Sequence, residues 1–196
     1  MRKTPQQARS RDMVERIVAA GREVLIADDY DAFSTNRVAA AAGISPGSLY
    51  QYFPDKAAIL DVVLDRYLEQ TTERVAAAMS DRLGGVGLSV VREIVDALLT
   101  ALEADRALLR VVAEELPLSR SRTRRDAVER RIAELASTYL IARPEHSRRP
   151  HPAVSTWVAV LAIENLATRW VLDEPAISRE QLIEEIAALV SGYLLS

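Results

Sequence analysis

The chain of 196 residues has no cysteine. That excludes thiol catalysis, thiolate metal sites and a disulfide framework, and it fits a reducing compartment. Histidine is nearly as scarce. His146 and His151 stand among prolines and arginines in ARPEHSRRPHP, without carboxylate or cysteine partners at ligand spacing, so neither a metal site nor a cofactor is expected. Long apolar runs are missing too: the longest, Trp157 to Ile163, is far too short to cross a bilayer. The basic start, MRKTPQQARSRD, is not followed by the apolar region of a secretory signal. No membrane partner is expected, and the expected location is cytoplasmic. There is no glycine-rich phosphate loop, no Ser-His-Asp set with plausible helical placement and no carboxylate pair standing out from surface charge, so an enzyme is not expected.

What remains is helix. Apolar positions recur at helical spacing nearly everywhere, and no stretch keeps the period of two that a half-buried strand requires. The expectation is an all-α protein of about nine helices. The first runs roughly from Ser10 to Ala27, with Met13, Ile17, Ala20, Val24 and Leu25 on one stripe. The second follows Ser34, an N-cap candidate, and ends at Gly43. A short third starts at Ser45 and Pro46 and stops near Gln51, because Pro54 disfavours helical geometry just before it. Asp55 caps a fourth reaching about Ser80, and the linker LGGVG interrupts the pattern at 83 to 87. Beyond it, helices are expected roughly over 88–104, 105–116, 119–142, 152–173 and 178–195. Ser178 and Gln181 match a capping box for the last.

Net charge is −3, which does not suggest a nucleic-acid binder until its distribution is considered. Residues 1–56 carry a net +1 and the remainder −4, and Arg2, Lys3, Arg9 and Arg11 precede the first acidic residue. In the same region, ISPGSLYQYFPDK (44–56) gathers Tyr50, Tyr52 and Phe53 out of only ten aromatics in the chain. Two short helices joined at Gly43, with small Ala39 at the crossing and Val38, Ala42, Ile44 and Leu49 as apolar contacts, have helix-turn-helix spacing. The second helix then turns Ser45, Gly47, Ser48, Tyr50 and Tyr52 outward, small or hydroxyl-bearing groups that can approach phosphates and base edges closely.

TNRVAAAAGISPGSLYQYFPDK (35–56) resembles the DNA-binding domain of the TetR family of bacterial transcriptional regulators, over about residues 10 to 60. The resemblance implies that Thr35, Asn36 and Arg37 lie against DNA, as do Ser45, Pro46, Gly47, Ser48 and Tyr50, that Tyr52 and Lys56 grip phosphates, and that Leu49 and Phe53 are core. It places a DNA-binding domain at 1–56, with a basic arm, and an effector-binding and dimerisation domain at 57–196. A second basic cluster, SRSRTRRDAVERR (119–131), has acids within helical reach of its arginines and reads as a solvated face.

The resemblance further implies a homodimer through the last two helices. Residues 152–172 are apolar on nearly all sides, which in a soluble helix means burial on two faces, and Ile183, Ile186, Ala187, Val190 and Leu194 offer a second stripe. Partners are therefore a double-stranded operator, a second copy and a small hydrophobic or amphipathic effector. Polar groups and rings within apolar helices are the effector-contact candidates: Arg110, Glu114, Trp157, Glu164, Asn165, Thr168, Arg169 and Trp170. The expected function is ligand-responsive repression at a pseudo-palindromic operator. The alternative is a ligand-independent DNA-organising or protein-interaction module on the same DNA-binding domain.

Overall fold

The computed structural model describes residues 5–80, 87–117 and 149–195, with 126, 127, 129, 130, 132–134, 136–138 and 141 between them. The chain is all-α: α1 (Pro5–Ala32), α2 (Thr35–Ala41), α3 (Pro46–Tyr50), α4 (Lys56–Ser80), α5 (Leu88–Glu103), α6 (Arg106–Arg110) leading into a π-helical turn (Val111–Glu115), α7 (Pro152–Asp173) and α8 (Arg179–Leu194). The described residues from 126 to 141 are helical as well. Among the described residues none lies in a β-strand, and no helix is long and apolar enough to cross a membrane. Arg2, Lys3, His146, residues 83–86 of the linker and most of the arginine-rich 119–131 segment lie outside the described residues.

One compact unit comprises Met1–Tyr67 with Ala107–Pro117. Its core takes Ile17, Val24 and Leu25 from α1, Val38 and Ala39 from α2, Leu49 from α3, and Phe33 and Phe53 from the connections. The unit runs past residue 56 because the start of α4 buries Ile59, Leu60, Val63, Leu64 and Tyr67. Gly21 sets how closely α1 and α4 can approach: a Cβ there would sit 2.8 Å from Ile59 Cγ2. Where one helix was expected over 105–116, α6 gives way to the π-helical turn, and Leu108, Leu109, Val111, Val112 and Leu116 are all buried along it. This turn packs on α1.

The first helix runs on beyond Ala27, with a break at Asp29, whose φ of 62° and ψ of 171° lie outside helical space. That region is open to glycine and costly for any residue with a Cβ. Nothing in ADDYD advertises the break, since it holds neither glycine nor proline. Replacing Asp29 with glycine is expected to raise the unfolding free energy by about 1 kcal/mol, the relieved strain exceeding glycine's extra chain entropy. Thermal melting of Asp29→Gly beside Asp29→Ala measures this; a glycine variant no more stable than the alanine one would contradict it.

The second unit comprises Leu68–Arg106 and the described part of Leu118–Ser196. In it α5 packs against both α7 and α8, burying Val95, Leu99 and Leu102 with Ala159, Ala167, Val171 and Leu182. Arg179, in the first turn of α8, clamps this packing. Its Nη2 donates to the Asp96 carboxylate (2.8 Å), the Asp96 carbonyl (2.9 Å) and Thr100 Oγ1 (2.8 Å), and its Nη1 pairs with Glu103. Burial works against the charged guanidinium, but the hydrogen bond to Asp96 and the charge of Glu103 outweigh it and raise its pKa above the ordinary value. The capping box of Ser178 and Gln181 closes the same end of the helix. The α8 stripe of Ile186, Ala187, Val190 and Leu194 is buried within this unit. These four are therefore spent inside the protomer, while Ile183, the fifth residue of the expected stripe, is half-buried.

Candidate nucleic-acid interface

Local chemistry builds the α2–α3 pair. Ser34 caps α2, its Oγ accepting from the Arg37 amide. At the other end Gly43 takes φ 63°. The Ile44 amide then reaches Ala39 O (3.0 Å) and the Gly43 amide Ala40 O (3.1 Å), a Schellman closure that satisfies the last carbonyls. A Cβ at Gly43 would meet nothing within 4 Å, so it is the backbone angle that calls for glycine there. Ser45 Oγ accepts from the Ser48 amide (3.1 Å) and bonds Ser48 Oγ (2.9 Å), with Pro46 opening α3. Leu49 is buried, and the amides of Tyr52 and Phe53 both return to its carbonyl.

The residues singled out from the sequence gather on the solvent side of this pair. Asn36, Arg37, Ser45, Pro46, Gly47, Tyr50 and Lys56 are exposed, and Thr35, Ser48 and Tyr52 are half-buried. Thr35 Oγ1 lies 3.1 Å from the Tyr50 hydroxyl, tying the start of α2 to the end of α3. Gly47 keeps the surface low between Pro46 and Ser48. The two cations are already engaged within the protein. Arg37 Nη1 pairs with Asp28 at 2.6 Å, and Lys56 Nζ donates to Phe33 O at 3.2 Å while lying 5.5 Å from the Tyr30 ring centroid. Asp55 caps α4 through the Ala58 amide. Asp28 and Tyr30 were not singled out from the sequence; their only signal is an acidic, aromatic run just before the helix pair. Arg9 and Arg11 are exposed on α1, which is helical from Pro5 on.

The effector candidates are dispersed. Arg110 and Glu114 face each other across the surface at 3.9 Å, both about half exposed. Trp157, Asn165 and Arg169 are exposed on α7, and Glu164, Thr168 and Trp170 are half-buried. Of these, Trp170 lines a cleft of about 420 Å³ in the second unit, together with Glu103, Arg106, Val171, Glu174 and Pro175. Its indole Nε1 donates to Ile177 O (2.9 Å), which fixes the ring. Arg106 pairs with Glu174 and reaches Leu172 O. Glu103 and Arg106 were not singled out from the sequence. His151 precedes α7 and is exposed, with no side-chain capping bond.

Two family models match the chain: "Bacterial regulatory proteins, tetR family" over residues 17–63 and "Tetracyclin repressor-like, C-terminal domain" over 89–194. An uncharacterized HTH-type transcriptional regulator of Mycobacterium tuberculosis is 28% identical over 158 residues, 80% of this chain and 66% of its own length. The chain thus spans just under two thirds of that relative. Similar solved structures include the fatty acid degradation regulator FadR from Bacillus halodurans, with TM-score 0.71, 17% identity and 98% and 97% of the two chains covered. NalD, the secondary repressor of the MexAB-OprM multidrug efflux pump in Pseudomonas aeruginosa, gives TM-score 0.68, 21% identity and coverage of 95% and 98%. At these identities the likeness to both structures is one of fold.

Proposed function

The chain belongs to the TetR family of bacterial regulatory proteins, and from that premise we propose that it is a ligand-responsive repressor. It grips a pseudo-palindromic operator as a homodimer and leaves it when a small amphipathic molecule binds the second unit. The observation that carries this reading is the solvent face of α2 and α3: serine, glycine, proline and tyrosine on a short helix locked by Leu49, flanked by Arg37 and Lys56. Such a face approaches the major groove without long apolar side chains in the way. One short helix reads only a few base pairs, so specificity calls for two related by a dyad.

The cleft beside Trp170 is the effector site in this reading. Trp170, Val171 and Pro175 offer an apolar wall, and Glu103, Arg106 and Glu174 a charged rim, which suits a molecule with a ring or short chain and one polar end. Helix α4 starts in the DNA-reading unit and ends in the other, so a ligand there has a continuous helix to act through. It can release DNA only by binding the two states unequally.

On a duplex selected from random-sequence DNA by the protein itself, log affinity is expected to fall linearly with log salt, by about 0.9 per phosphate neutralised; a flat response would sink the DNA reading. A small molecule that weakens operator binding must in turn be bound less tightly by the same factor when operator is present. Trp170 emission in a Trp157→Phe background reports its occupancy.

A further inference from the structure

The two cations of the DNA-facing set, Arg37 and Lys56, are both held in the free protein by residues 28–33, but by partners of different charge. Lys56 rests on a carbonyl and an aromatic face. These orient the ammonium and leave its charge intact. Arg37 instead faces a carboxylate: Asp28, the last regular residue before the break at Asp29, stands 2.6 Å from its Nη1. The bridge spans the corner between α1 and α2, with the Arg37 side chain 52% exposed and Asp28 34%.

We propose that Asp28 is an intramolecular counter-ion that holds DNA affinity down: it neutralises Arg37 in the free protein, and a backbone phosphate must displace it. This rests on the reading of Arg37 as a DNA contact, and takes that contact to be with a backbone phosphate. A phosphodiester offers the guanidinium the same fork geometry as a carboxylate, so the exchange gains little contact energy. A cation already neutralised also releases fewer condensed counterions from DNA than a free one. The pair lies in solvent, where ion pairs are weak and screened, so the exchange is open to DNA while still costing affinity. Asp28 thereby keeps non-specific binding low, because only a duplex that also satisfies α3 makes the exchange worthwhile.

Asp28→Asn is the test, read by fluorescence anisotropy on the duplex selected by the wild-type protein and on an unrelated duplex. Asp31→Asn removes the same charge three residues further along and serves as the charge-only control; thermal melting shows that each variant is folded, and Asp28→Ser repeats the neutralisation should asparagine disturb the corner. Asp28→Asn is expected to bind about three- to fivefold more tightly at ~0.1 M salt, with a salt slope steeper by up to about 0.9. The gain should be proportionally larger on the unrelated duplex. In an Arg37→Gln background it should shrink to the gain that Asp31→Asn gives. A gain no larger than that of Asp31→Asn with Arg37 in place, or weaker binding, would overturn the counter-ion role alone, provided Arg37→Gln itself weakens binding. An Arg37→Gln protein that binds as tightly as wild type would remove the phosphate contact, and the proposal with it.

Discussion

Leu49→Ala is expected to abolish operator binding and to lower the stability of the DNA-reading unit by about 3 kcal/mol. Helix α3 has only five residues, far below the length at which a helix holds itself in water. Its conformation is imposed by Ser45 at one end and by burial of one side chain, Leu49, which is fully inaccessible and the only buried residue within the helix. Removing three carbons there leaves a cavity among the side chains of a small core and frees Gly47, Ser48 and Tyr50 to lose their shared geometry. The comparison is Tyr50→Phe, which deletes only the hydroxyl that meets Thr35 and leaves the core intact. Urea denaturation followed by circular dichroism gives the stability change, and anisotropy on the selected duplex gives binding. Retention of wild-type affinity by Leu49→Ala would show that the recognition surface is not organised by this anchor.

That anchor was legible in the sequence, and so were the caps, because both are local. Ser34, Ser45, Asp55 and Ser178 each stand just before a helix, and each accepts from the amide three residues on. Gly43 was legible for the same reason: one backbone angle demands it. What was not legible depends on distance or on strain. The break at Asp29 falls on a residue with no turn signal, and the π-helical turn at Val111–Glu115 appears only once the core it fills is known. A stripe such as Ile186, Ala187, Val190 and Leu194 declares that a helix is buried without saying against what; here α5 claims it. The pairing of Arg37 with Asp28 joins separate helices. In the second unit, Trp170 was singled out as a ring in an apolar helix, while its neighbours in the cleft, Glu103 and Arg106, come from another part of the chain and gave no periodic signal.

With the inner stripe of α8 used within the protomer, the proposed dimer must be held by what stays outside, and apolar side chains are exposed on both α7 and α8. On α7, Val154, Trp157, Val158 and Leu166 are exposed at helical spacing, and on α8 Leu189 is 55% exposed beside Ala188 and Gly192. Exposed apolar side chains gathered on a helix face suit an interaction surface, and a second copy is the occupant proposed for it. Asn165 lies within the α7 stripe, where one polar residue can fix register between two copies. Leu166→Asp is therefore expected to leave the protomer folded, since the side chain is 40% exposed, and to dissociate the dimer. A dyad places the new carboxylate in the interface twice, and two unpaired charges there cost several kcal/mol. A loss of about 3 kcal/mol corresponds to a dissociation constant about 100-fold higher. Operator affinity should fall by at least that factor, because each protomer then binds its half-site alone. Ser89→Asp, on the exposed first turn of α5, adds the same charge off the stripe and should change neither. Sedimentation equilibrium measures the association and anisotropy the operator. A Leu166→Asp protein that stays dimeric with unchanged operator affinity would place the two-fold contact elsewhere on the surface.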